Sequence, residues 1–310
     1  MALFRCFATS ETIRHAIDTQ SLASWLKSRR LPSDILGLGV ESAMHLESLR
    51  VRILVKAYPQ PSKKYRETVC VAAITDEPRP RFVRLYPIRY RDLPQHKRFE
   101  RFDLVSLRMW RDSSDFRPES HKVDEDSIEI VESGKRLNSE NRFRVWRPFI
   151  FDNFRGLKAR NVDSKVSLGI IRPDEGSLEF LYYPESDDSD DDRAISVSLN
   201  EQMNLLQPDL EPIARPEWSF KYRFTSGGER STITIQDWEI QAALHNFRKM
   251  YGRQEGFNRL VETYSKVIPE QAPHFIMGTI KRHPHIFTMI GVLRGGEAYT
   301  KAQIAPELSF

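Results

Sequence analysis

Hydrophobic and polar positions alternate through much of the first half of the chain. In "DLVSLRMW", residues 103–110, Leu104, Ser106 and Arg108 alternate with Val105, Leu107 and Met109, the two-residue period of a half-buried strand. "VRILVKAY" (51–58) is an apolar run rich in β-branched residues. "ETVCVAAI" (67–74) and "RFVRLYPI" (81–88) flank the turn-forming "TDEPRP", and "SIEIV" (127–131) adds another strand. After a connecting region, "VSLGIIRP" (166–173) and "LEFLYYP" (178–184) continue the β signal.

From Trp218 the pattern predicts a hairpin and then a change of period. "WSFKYRF" alternates, Gly227-Gly228 supplies the turn and "STITI" is the returning strand. In "QDWEIQAALHNFRKMYG" (236–252), Ile240, Leu244, Phe247 and Tyr251 recur at helical spacing, with Asp237 as the cap and Gly252 as the stop. A second helix carries Phe257, Leu260, Val261 and Tyr264 and ends before Pro269. "HFIMGTIK" and "HIFTMIGVL" predict two neighbouring strands joined by "RHP". The predicted fold class is therefore α+β: a β-rich N-terminal region, either a small barrel or a twisted antiparallel sheet, followed by an antiparallel ββααββ-like C-terminal unit. The expected division is an N-terminal extension over 1–48, a β-rich domain over 49–183, an acidic loop and linker over 184–214, and an α+β domain over 215–294. Met44 offers an alternative translation start, which would place residues 1–43 outside the core.

Composition narrows this picture. The 310 residues carry a formal net charge of +4, are 40% hydrophobic and 29% charged, and include two cysteines. That is a soluble globular composition, with too few cysteines for a disulfide framework. No 18-residue apolar run predicts a membrane span, and no apolar h-region predicts a secretory leader. A cytoplasmic location is expected. The run 185–192 is strongly acidic and is read as a solvated loop without the glycine and terminal glutamate of a calcium site.

The segments "RILVKAYPQPSKKYRETVCVAAI", "RFVRLYPIRYRDL", "DFRPESHKVD", "SLGIIRP", "DWEIQAALHNFRKMYG" and "FIMGTIKRHP" follow one another from about 51 to 293. Through them the chain resembles an uncharacterised bacterial protein family. The resemblance implies a prokaryotic cytoplasmic protein and supplies no catalytic residues. It also implies a turn bearing cysteine and histidine after the Trp218 strand. Here "FTSGGERST" has neither, so a metal role does not carry over.

Two constellations stand out. Residues 81–103 hold seven basic and three acidic residues threaded with Phe82, Tyr86, Tyr90, Phe99 and Phe102. Arginine forks fit phosphate oxygens, and tyrosines stack on bases. In the turn "SDFRPESHK" (114–122), Pro118 presents Arg117, Glu119, Ser120 and His121 together. The expected binding residues are Arg84, Arg89, Tyr90, Arg91, Arg98, Arg117, Ser120 and His121. His283 and His285 match no zinc spacing, and no metal or cofactor is expected. Phosphate-loop, dinucleotide and nucleophile-elbow motifs are absent from the sequence. The leading expectation is a binding protein for nucleic acid or another phosphate-bearing ligand. The alternatives are a phosphodiesterase or nuclease using Glu119, His121 and a carboxylate from elsewhere in the chain, and a non-catalytic subunit of a larger complex.

Overall fold

The structure is a computed structural model that describes residues 46–62, 65–185 and 216–296. The expected N-terminal extension, except for its last residues, and nearly all of the acidic loop and linker lie outside the described residues.

The N-terminal half closes into a barrel. Strands β1 (Glu47–Lys56), β3 (Arg66–Thr75), β4 (Phe82–Ile88), β5 (Leu104–Arg111) and β6 (Ser120–Glu132) form the ring, and β2 (Gln60–Ser62) extends it beside β3. β1 pairs antiparallel with both β3 and β5, β3 with β4, and β5 with β6. The ring closes through a parallel step between β4 and β6, where Arg84 lies opposite Ser120 and Leu85 opposite His121. Counting the five ring strands in chain order, the circuit runs 1-2-3-5-4-1 with strands 3 and 5 parallel. This is the connectivity of the OB-fold, a Greek-key barrel. Closure also removes the exposed edges that so small a sheet would otherwise leave.

Alternation fills the barrel with Val51, Ile53, Val69, Val71, Val83, Leu85, Val105, Leu107 and Met109. Tyr90, Leu93 and Phe99 join the same cluster from the connection between β4 and β5, so that segment plugs the barrel and is not a solvated loop. Two departures from strict alternation follow from bulges, each of which shifts the facing of a strand by one residue. In the β3–β4 ladder the register slips between Val69 and Val71, and Ile88 joins the interior although the period assigned it to the face of Phe82. In β1 the slip falls between Ile53 and Val55. Leu54 and Val55 then both pack outside the barrel, and Lys56 takes the inward phase.

The region read as a connection contains two helices, α1 (Ser139–Trp146) and α2 (Phe154–Ser164). Each is capped by an asparagine: Asn138 accepts from the Asn141 amide and Asn153 from the Gly156 amide. Strand β7 (Leu168–Ile171) pairs with β11 (Pro273–Ile280), which pairs in turn with β12 (His283–Arg294). Strand β8 (Glu179–Pro184) pairs with β9 (Trp218–Ser226), which forms the expected hairpin with β10 (Glu229–Thr234). Gly227 and Gly228 hold positive φ of 59° and 80°, as a two-residue hairpin turn demands. Thus β7 and β8, assigned by sequence to the first domain, hydrogen-bond with strands of the second half. Helices α3 (Trp238–Tyr251) and α4 (Arg253–Glu262) complete the expected β9-β10-α3-α4-β11-β12 order.

The β7-β11-β12 sheet is covered on both faces. Phe275, Met277, Phe287 and Met289 face β9, α3 and α4, while Leu168, Ile170, Ile276, Ile290 and Leu293 pack on the outside of β1, β3 and β4 and on α1. Burial on both sides explains why β11 and β12 read as nearly unbroken apolar runs. It also means that the outward faces of β3 and β4, through Ala72, Ile74 and Phe82, are covered by the second half of the same chain.

Candidate functional site

Most residues expected to bind a ligand are engaged inside the fold. Arg84 is buried, and its guanidinium donates to the Ser167 carbonyl (3.1 Å), the Ser167 hydroxyl (3.2 Å) and the Cys70 sulfur (3.4 Å). Glu119 accepts from the same Ser167, amide and hydroxyl, at 2.9 and 2.7 Å. Arg117 forks onto Asp115 and donates to the Thr279 carbonyl at 2.6 Å. Burial pushes the Asp115 carboxyl up, but the hydrogen bonds from Arg117 outweigh it and hold the group at about 2. Ser120 and His121 are buried at the start of β6, where it pairs with β4; the His121 ring meets the Glu119 carbonyl at 2.8 Å, and burial lowers its pKa. The 114–122 stretch is therefore a clasp between the halves. His285 meets the Asn161 side chain at 2.9 Å.

The basic segment is similarly occupied. Arg89 pairs with Glu125 at 2.5 Å and Arg91 with Glu67 at 3.1 Å. Arg98 donates to the carbonyls of Leu93 and Arg91, both at 2.8 Å, bracing the plug. Of the eight expected residues, Tyr90 alone lines the main cavity.

That cavity, about 820 Å³, opens where the end of β1, the plug, the start of α1, the start of α3 and the end of β12 meet. Lys56, Arg101, Lys135, Arg142 and Arg294 face it, against two carboxylates, Glu100 and Glu239. Both carboxylates are already paired: Glu239 with Arg101 at 2.8 Å, and Glu100 with Lys135 at 3.0 Å. Lys56, Arg142 and Arg294 have no carboxylate at ion-pair distance among the described residues. The cavity therefore keeps an excess of positive charge.

Each side chain has a local reason to be there. The bulge at Leu54 turns Lys56 inward, and the displaced Leu54 carbonyl is satisfied by Arg101 Nε at 2.8 Å. Arg101 also reaches the Val292 carbonyl at 3.0 Å and Asp237 at 3.4 Å. Asp237, the α3 cap, accepts from the amides of Glu239 (3.0 Å) and Val292 (3.2 Å). Burial pushes its carboxyl up, against the pull of Arg101. Lys56 Nζ donates to the Tyr90 hydroxyl at 2.9 Å and the Phe99 carbonyl at 3.0 Å. Tyr90 donates to that same carbonyl at 2.6 Å, and burial raises its pKa to about 12. The rings of Tyr90 and Trp238 meet edge to face at 5.5 Å. Burial lowers the Lys56 pKa to about 8, a fall that the distant attraction of Glu239, Glu100 and Asp103 only partly offsets.

Sequence reading missed Lys56, Arg142, Arg294 and Trp238. The one available signal was a lysine inside the apolar run of β1, where strict alternation places it on the face opposite Val51, Ile53 and Val55. Among the described residues, no cluster of three or more histidine, cysteine, aspartate or glutamate side chains is placed to hold a metal, and no helix is long and apolar enough to cross a membrane.

Residues 152–307 match the family described as "Domain of unknown function (DUF8757)", and residues 47–148 match "Domain of unknown function (DUF8758)". The first match spans half of the chain, which belongs to the DUF8757 family. No curated protein matches. Among solved structures, one concerning the molecular basis for abrogation of activation of pro-inflammatory cytokines is similar at 8% identity and a TM-score of 0.29, over 64% of this chain and 80% of that one. Another, of a replication protein A heterotrimer bound to ssDNA, is similar at 12% identity and a TM-score of 0.26, over 84% and 68%.

Proposed function

We propose that the protein binds a small phosphate-bearing ligand in the cavity between the barrel and the helical half. The observation that supports this reading is the charge of the cavity: of its five cations, Arg101 and Lys135 pair with its two carboxylates, which leaves Lys56, Arg142 and Arg294 in excess. Guanidinium forks match phosphate oxygens, and a partly desolvated site strengthens such bonds. Tyr90 and Trp238 offer ring surface for a planar group. The volume lies within the range of roughly 300–1,000 Å³ usual for small-molecule sites. An oligonucleotide on the barrel finds less support. Arg89 and Arg91 are paired, and the outward faces of β3 and β4 are covered. Barrel connectivity by itself is an analogy of fold and not of site.

The test is calorimetric titration with inorganic phosphate, pyrophosphate and nucleoside mono- and diphosphates, beside a single-stranded oligonucleotide. At least one small phosphate compound is expected to bind more tightly than about 1 mM, and Arg142→Gln with Arg294→Gln is expected to weaken it about tenfold or more. Binding that ignores the double substitution would overturn this assignment. Tight oligonucleotide binding with none by small phosphates would return the function to the 81–103 surface.

A further inference from the structure

We propose that Lys56 is a reactive amine, and that the cavity takes a phosphate-bearing aldehyde or ketone with which Lys56 forms an imine. This rests on the anion-binding reading above and adds the ligand's second functional group. The geometry around Nζ carries it. The nitrogen has two hydrogen-bond acceptors, the Tyr90 hydroxyl and the Phe99 carbonyl, at 2.9 and 3.0 Å. A neutral amine has two hydrogens to donate and an ammonium has three. No third protein acceptor and no ion-paired carboxylate reaches Nζ among the described residues, and Lys56 lines the cavity. Tyr90 fixes this arrangement because its own hydrogen is committed to the Phe99 carbonyl, which leaves its oxygen free to accept from Lys56.

The surrounding charges are Glu239, Glu100 and Asp103, which favour the ammonium, and Arg101, which opposes it. Three rings stand within cation–π range, with Nζ at 4.2 Å from the Tyr90 centroid, 5.6 Å from Trp238 and 5.9 Å from Phe99. These favour the ammonium too, but burial remains the largest influence and lowers the pKa to about 8. About a tenth of the amine is then neutral at pH 7, roughly 200–300 times the fraction of an ordinary lysine.

The chemistry balances without an oxidant or reductant. The Nζ lone pair attacks the carbonyl carbon, the π pair moves to oxygen, and the proton lost by nitrogen passes to that oxygen to give a carbinolamine. Expulsion of the hydroxyl with the remaining N–H proton releases water and leaves C=N. Arg142 and Arg294 lie on the same cavity to hold the phosphate.

Pyridoxal 5′-phosphate serves as the probe, with pyridoxal as its phosphate-free control; borohydride traps the imine and peptide mapping locates it. We expect one dominant adduct on the peptide carrying Lys56, forming at least about tenfold faster than on other lysines, rising with pH toward about 8 and slowed by inorganic phosphate. Arg142→Gln with Arg294→Gln should slow the phosphorylated probe more than pyridoxal and so narrow the difference in rate between the two. Mapping the wild-type protein is decisive even if Lys56→Met folds poorly. Label spread evenly over exposed lysines, with Lys56 no faster, overturns the proposal. If small phosphates bind calorimetrically while Lys56 is not labelled, the imine falls and the anion site stands. If Lys56 is labelled equally by both aldehydes and phosphate neither binds nor competes, the reactive amine stands and the anion site falls.

Discussion

Lys56 shows how far a single side chain is legible. Its position in an apolar run was visible, but its direction was set by a bulge one and two residues earlier, and no local pattern announces a bulge. The arginines failed as guides for a different reason. Sequence shows where positive charge lies and hides what it is paired with; Glu125, Glu67 and Ser167 come from other strands or turns, while Asp115 pairs with Arg117 within one turn. Only Tyr90 of the expected set reaches the cavity, because it packs as a plug residue with a polar tip. The energetics of Lys56 give a test at this scale. Its folded pKa of about 8 lies below the ordinary 10.5, so the folded chain holds fewer protons than the unfolded one between those values. Stability therefore rises as pH climbs through that window, and the whole burial penalty is present below it. Lys56→Met keeps the volume, and the Phe99 carbonyl still receives Tyr90. It should raise stability near neutral pH by on the order of 1–2 kcal/mol and flatten the pH dependence between about 8 and 10. Urea melts at several pH values check both. A destabilised variant would show that the amine is a structural brace.

The elements read best from sequence were those whose period is enforced by a core. The β9–β10 hairpin, helix α3 with buried Ile240 and Leu244, and the β11–β12 pair all lie where expected. Helices α1 and α2 were missed because they are short and mostly polar outside Phe143, Trp146, Phe154 and Leu157, so little amphipathic signal rises above the loops around them. The close crossing of α3 and α4 rests on Gly256. A Cβ there would stand 2.5 Å from the Arg248 amide nitrogen and 2.6 Å from the Phe247 carbonyl carbon, both backbone atoms that cannot turn aside. Alanine gains about 1 kcal/mol in helix propensity over glycine. Forcing the two helices apart loses packing on Leu244 and Leu260, typically about 1–3 kcal/mol for an overpacked site. Gly256→Ala is therefore expected to be destabilising on balance, read as a lower denaturant midpoint. An unchanged or higher midpoint would mean that the helices part freely.

Across the whole molecule, the two halves share one apolar interface and several polar ties. Leu54, Val55, Ala72, Ile74 and Phe82 of the barrel meet Leu168, Ile170, Ile276, Ile290 and Leu293 without a gap in burial. Arg84 and Glu119 close on Ser167, Arg117 on Thr279, and Arg101 on Val292 and Asp237. An alternation rule reports that a strand has an apolar outer face and is silent about which distant strand covers it, so this interface and the cavity at its margin were beyond sequence reading. It has a consequence for unfolding. A barrel released from its partner would expose that whole patch, together with a buried arginine and a buried glutamate stripped of Ser167, so the halves should unfold together. Ile276→Ala tests this from the far side, since Ile276 lies in β11 and is fully buried against the barrel cluster. The cavity it leaves should cost about 2–5 kcal/mol. Native-state hydrogen exchange then distinguishes two molecules. In a single cooperative unit, the slowest amides of β3 and β4 lose protection by the same amount as those of β11. If the barrel amides keep their protection while β11 loses it, the barrel is an independent unit and the cavity is a hinge between two bodies.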